Sequence, residues 1–75
     1  MHWQDHIVST PETLHGAPRF RGTRIPVSVV LDNLAAGVSL EEMHRQYPTL
    51  PTGAVGAALA YAADLARDRI VPIPA

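Results

Sequence analysis

His15-Gly16-Ala17-Pro18-Arg19-Phe20-Arg21-Gly22-Thr23-Arg24-Ile25-Pro26-Val27 gathers two glycines, two prolines and three arginines into thirteen residues, directly ahead of the first helical pattern. Gly16 and Gly22 open backbone conformations closed to other residues, and Pro18 and Pro26 fix φ beside them. Between these punctuators, Arg19-Phe20-Arg21 and Thr23-Arg24-Ile25 read as short extended segments. If the two pair, Arg19, Arg21 and Arg24 are held at fixed positions on a small sheet. Such an arrangement describes a binding surface, not a catalytic centre.

Upstream, His6-Ile7-Val8 is β-prone and Ser9-Thr10-Pro11-Glu12 is a turn, so residues 1–26 are expected as strand and turn, in a β-hairpin or small antiparallel sheet. Downstream the period changes. Val27, Val30, Leu31 and Leu34 fall at the spacing of one buried helix face, and Gly37 stands where a left-handed cap ends that helix. Ser39-Leu40-Glu41-Glu42 has the form of a capping box, in which Ser39 accepts from the Glu42 amide while Glu42 reaches back. Leu40, Met43 and Tyr47 form a second, short stripe that Pro48 stops.

A third helix is expected from about Thr52 to Arg67 or Arg69. Val55, Leu59, Ala62 and Ala66 make one of its stripes, and Ala58, Tyr61 and Leu65 the next. That face is wider than two short helices can cover, so Val55, Leu59, Tyr61 and Ala62 are expected at a homodimer interface. The reading is therefore of a mainly α protein with a single domain over residues 1–69, its helices within 27–69. A short extended tail over residues 70–75 follows. The brief turn at Ala36-Gly37-Val38 gives the helices a helix-turn-helix character.

Composition sets outer bounds. A chain of 75 residues is one domain, and at that length a monomer buries only a modest share of its surface. There is no cysteine, hence neither a disulfide nor a thiolate ligand. The formal net charge of −1 does not predict nucleic-acid binding by itself, but all six basic residues are Arg and three of them cluster at 19–24. A local basic patch attracts phosphate or carboxylate even in a neutral chain. No apolar run approaches the roughly 20 residues of a membrane span, and the polar start Met1-His2-Trp3-Gln4-Asp5-His6 lacks a signal-peptide core. The expectation is a cytoplasmic protein with no membrane contact.

Each chemical reading has a plain structural alternative. The third helix would be the recognition helix of a helix-turn-helix, yet its first turn, Thr52-Gly53-Ala54-Val55-Gly56-Ala57, offers almost nothing to base edges. The arginine-bearing sheet is the better candidate for operator DNA, since two-stranded ribbons also enter the major groove. Against function, the same arginines would serve as a solvated edge that resists sheet aggregation. Arg24 could equally form a salt bridge to Asp32 or Glu42. His2 and His6 are four apart in a segment without helical pattern, His15 belongs to a turn and His44 to a polar helix face, so no metal site is expected. Neither a nucleophile constellation nor a phosphate loop is present, and no enzyme activity or cofactor is expected.

Taken together, Gly16-x-Pro18, Gly22-Thr23-Arg24-Ile25-Pro26-Val27, Leu34-Ala35-Ala36-Gly37-x-Ser39-x-Glu41-Glu42, Tyr47-Pro48 and Ala57-Ala58-Leu59-Ala60-Tyr61-Ala62 resemble domain-of-unknown-function family 433. These are small prokaryotic proteins often described as VapB-type antitoxins. The likeness covers about residues 7 to 66, and Gly-Thr-Arg-Ile-Pro-Val is its specific part. The resemblance implies a short β-structure before a homeodomain-like three-helix fold, a dimer, and neutralisation of a PIN-like ribonuclease toxin encoded alongside, with possible repression of the shared operon. Two departures stand out. Pro51-Thr52-Gly53-Ala54 replaces the family's capped, acidic start of helix three, and only Ile70-Val71-Pro72-Ile73-Pro74-Ala75 follows Arg69. Ile70, Val71 and Ile73 could dock that tail on a partner as an added strand. The other readings are a stand-alone DNA-binding regulator, which predicts steep salt dependence, and a non-catalytic dimeric adaptor.

Overall fold

The computed structural model describes residues 2–68. A two-stranded antiparallel sheet, β1 (Ile7–Val8) and β2 (Arg19–Phe20), precedes three helices: α1 (Val27–Ala35), α2 (Leu40–Gln46) and α3 (Ala54–Asp68). The tail residues Ile70, Val71 and Ile73 lie outside the described residues.

Register fixes the sheet's buried face. Ile7 pairs with Phe20 and Val8 with Arg19. Because side chains alternate across a strand, Ile7 and Phe20 point to one face together. Both are buried, Phe20 completely. After the hairpin tip the chain returns beside β2: Phe20 donates its amide to Ile25 O at 3.1 Å, and Arg19 bridges to Pro26. The Val27 amide, which helix geometry leaves without an internal partner, donates to Pro18 O at 2.9 Å. Pro26, with φ −65°, then leads directly into α1.

The helix boundaries follow from local chemistry. Gly37 has φ 82° at the end of α1, and both Gly37 N→Leu34 O (3.0 Å) and Val38 N→Asn33 O (2.9 Å) are made, which is a Schellman closure. At α2, Ser39 Oγ accepts from the Glu42 amide at 3.1 Å. The expected reciprocal arm is absent: the Glu42 carboxylate turns to Arg45, whose Nη1 lies 3.3 Å away without hydrogen-bond alignment. Acidic Glu41 and Glu42 in the first turn and His44 and Arg45 in the last suit the helix dipole. Tyr47 closes α2, and Leu50 donates back to it across the Pro48-Thr49 turn. The third helix starts at Ala54, two residues later than Thr52. Gly53 at φ 85° turns the chain first, and its carbonyl accepts from Ala57.

The core joins sheet to helices through Ile7, Phe20, Ile25, Val27, Val30, Met43, Leu50, Ala54, Ala57 and Ala58. The last three lie on one face of α3, at i, i+3 and i+4. Having only a methyl group each, they let α1 pack closely against α3. Residues 2–6, expected to be without helical pattern, contain a tight helical turn at Trp3–Asp5 that packs on α3. No helix among the described residues is long and apolar enough to cross a membrane.

Candidate binding surface

The hairpin tip is a turn over Phe20-Arg21-Gly22-Thr23, closed by Thr23 N→Phe20 O at 3.0 Å. Gly22 sits third in it at φ 78°, a position where a type II turn requires glycine. Thr23 completes the knot. Its hydroxyl donates to Phe20 O at 2.8 Å and accepts from the Ile25 amide at 3.0 Å. The Arg21 amide donates to His6 O at 2.8 Å, tying the tip to the residue just before β1. Most of Gly-Thr-Arg-Ile-Pro-Val is thus a folding device: Gly22 turns, Thr23 locks, Ile25 and Val27 enter the core, and Pro26 starts α1.

The three arginines separate into two kinds. Arg21 and Arg24 are exposed, and among the described residues neither side chain makes an ion pair. The alternative pairing of Arg24 with Asp32 or Glu42 is not formed; Asp32 is exposed and Glu42 faces Arg45. Arg19 instead is half-buried and folds along the tip, donating from Nη1 to Thr23 O at 3.1 Å and from Nη2 to Thr10 Oγ1 at 3.4 Å. Among the described residues its Nε is buried without a partner. Arg19 thus links the tip to the loop that carries Thr10.

The expected interface on α3 divides similarly. Leu59 is 52% exposed, while Val55 and Ala62 are half-buried. Tyr61 faces inward: its ring meets Trp3 edge-on with centroids 5.0 Å apart. Trp3 Nε1 also donates to Asp64 Oδ2. Sequence reading missed this clamp, although a tryptophan close to the N-terminus and an aromatic on α3 were the available signals. Asp64 also pairs with Arg67 one helical turn on. Its carboxyl is held below the ordinary value of 3.8, mainly by the Trp3 hydrogen bond. Desolvation works against this, and Arg67 reinforces it through a hydrogen bond and its charge.

The loop entering β2 carries strain. Leu14 (φ 52°), His15 (φ 54°) and Gly16 (φ 82°) are successive left-handed residues, and only Gly16 adopts that conformation freely. Ser9 Oγ donates to Gly16 O and helps hold the turn. Among the described residues no group of three or more His, Asp or Glu side chains could hold a metal ion.

Fold and surface together define a small sheet-plus-three-helix module that presents two arginines on a knotted hairpin. The chain belongs to the family described as protein of unknown function DUF433, whose sequence profile matches residues 7–62. It is similar to "Uncharacterized protein y4eO" of Sinorhizobium fredii (strain NBRC 101917 / NGR234), at 41% identity over 56 residues. That match covers 75% of this chain and 25% of the relative, so the chain spans about a quarter of that relative's length. No solved structure matches the chain.

Proposed function

We propose that this chain is a VapB-like antitoxin module that binds and neutralises a PIN-like ribonuclease toxin in the cytoplasm. The observation that supports this most is the pair of exposed arginines, Arg21 and Arg24, on a hairpin whose turn is closed by both backbone and side-chain bonds. A turn whose backbone is already ordered loses little main-chain entropy on docking, and the guanidinium groups it carries match carboxylates bidentately. The acidic metal site of a PIN-like nuclease is such a target, and an arginine inserted there would compete with the metal. In this reading α2 and α3 form a homeodomain-like helix-turn-helix, a second copy covers the Leu59 face of α3, and operator DNA is a further ligand of the same basic hairpin.

Affinity purification of the tagged chain from its own host, with mass spectrometry of what co-elutes, tests the proposal. A small PIN-like nuclease in stoichiometric amount is the expected result. Retained inhibition of that nuclease after Arg21→Ala and Arg24→Ala together would overturn the arginine mechanism. Recovery of the chain alone would shift the reading to a DNA-binding regulator. That protein should show operator affinity falling steeply with salt as phosphate counterions are released.

A further inference from the structure

We infer that Arg19 is a positioning residue, whose guanidinium sets the conformation in which Arg21 and Arg24 meet a partner. This rests on the proposed role of that pair and deepens it. All three arginines lie within six residues of one another, yet the fold turns Arg19 inward and leaves the other two outside. Arg19 spans the hairpin from within: one guanidinium nitrogen reaches the carbonyl of Thr23, between Gly22 and Arg24, and another reaches Thr10 Oγ1 in the preceding loop. The tip is thereby tied to a second segment that the backbone bonds of the turn do not reach. The planar fork of arginine suits this bridge, whereas lysine's single ammonium on a flexible stem does not. Among the described residues Nε has no partner, so what the arginine supplies at this position is the bridge made by its two terminal nitrogens.

A contact role and a positioning role differ in a double-mutant cycle, with the co-purified nuclease as probe. Arg19→Ala should weaken nuclease binding about tenfold, with the thermal midpoint near that of the native protein. Introduced into the Arg21→Ala/Arg24→Ala background, it should cost less than about twofold further, because the groups it positions are gone. Arg19→Lys should follow Arg19→Ala, since it restores the charge without the fork. Amide nitrogen relaxation should show Arg21 to Arg24 becoming more mobile in both variants. An additive loss in the cycle, full binding by the lysine variant, or a tip as ordered in Arg19→Ala as in the native protein would each overturn the inference. If no nuclease is captured, or if Arg21→Ala/Arg24→Ala binds it normally, the functional reading fails instead. Amide relaxation alone then decides the role of Arg19: a loosened tip upholds it and an unchanged tip ends it.

Discussion

Trp3 donates its indole N–H to Asp64 Oδ2 at 2.5 Å, joining residues 61 positions apart and fixing the first described turn of the chain to the far half of α3. The same indole meets Tyr61 edge-on, an arrangement worth about 0.5–1.5 kcal/mol beyond its buried area. The N-terminal turn is therefore an integral part of the fold.

This contact makes acid stability depend on Asp64. Its carboxyl titrates below 3.8, first because Trp3 hydrogen-bonds the charged form, with Arg67 adding to the effect against desolvation. A depressed folded-state value means the unfolded chain takes up the proton more readily. The contribution is thus present above the ordinary carboxylate value and is lost as pH falls through the folded one. Thermal melts from neutral to strongly acidic pH should show the native protein falling more steeply below pH 3.8 than Asp64→Asn. Trp3→Phe, which keeps the aromatic contact without the donor, should flatten the profile in the same way. Parallel profiles for all three proteins would show that the hydrogen bond does not govern acid unfolding.

Gly22 and His15 predict opposite outcomes in equivalent backbone conformations. Gly22 has φ 78°, and a Cβ there would meet nothing within 4 Å, so Gly22→Ala bears only the backbone cost of the left-handed region, about 1 kcal/mol. His15 already bears that cost at φ 54°. Replacing this exposed residue with Asn, which tolerates the conformation better, should stabilise the protein by a few tenths of a kcal/mol. Denaturant midpoints at unchanged slope distinguish the two shifts.

The helices were legible because their signals are local. Val27 to Leu34 show the period, Gly37 the stop, and Ser39 the cap, and each depends on neighbours within one or two turns. The hairpin was legible for the same reason, since Gly22 and the flanking prolines dictate it. What could not be read was the direction of individual side chains. Arg19, Arg21 and Arg24 look alike in sequence, and only the Ile7–Phe20 register, together with the return of Ile25 beside Phe20, turns Arg19 toward Thr23. The Trp3 clamp depends on a contact across nearly the whole chain, which no local periodicity encodes.

Phe20 is the largest fully buried side chain, opposite Ile7 and bounded by Ile25 across the turn. Truncation to alanine removes the ring and leaves a cavity, at about 3–5 kcal/mol. At roughly 0.05–0.15 kcal/mol per residue, a chain of 75 residues has about 4–11 kcal/mol in total. Phe20→Ala should therefore lose at least about a quarter of the stability. Equilibrium denaturation measures this directly, and a loss under about 1 kcal/mol would mean that the sheet is not part of the cooperative core.

Leu59 tests the other face of α3. From Ala54 to Ala63 the helix has no charged residue, yet Gly56, Leu59 and Ala63 are exposed. Among the described residues Leu59 stays 52% exposed, so Leu59→Lys should change monomer stability by no more than about 0.5 kcal/mol. Its effect on association is expected to be large if a second copy covers this face. The bulkier Val55 and Leu59 occupy the first half of the stripe, and the small Ala62 and Ala66 the second. An antiparallel pairing sets each large half against a small one, whereas a parallel pairing stacks Leu59 on Leu59. Light scattering coupled to size exclusion should then give a dimer for the native protein and a monomer for Leu59→Lys, with similar melting curves at low concentration. A native protein that remains monomeric at millimolar concentration would remove the dimer from the functional reading and leave Arg21 and Arg24 as its remaining support.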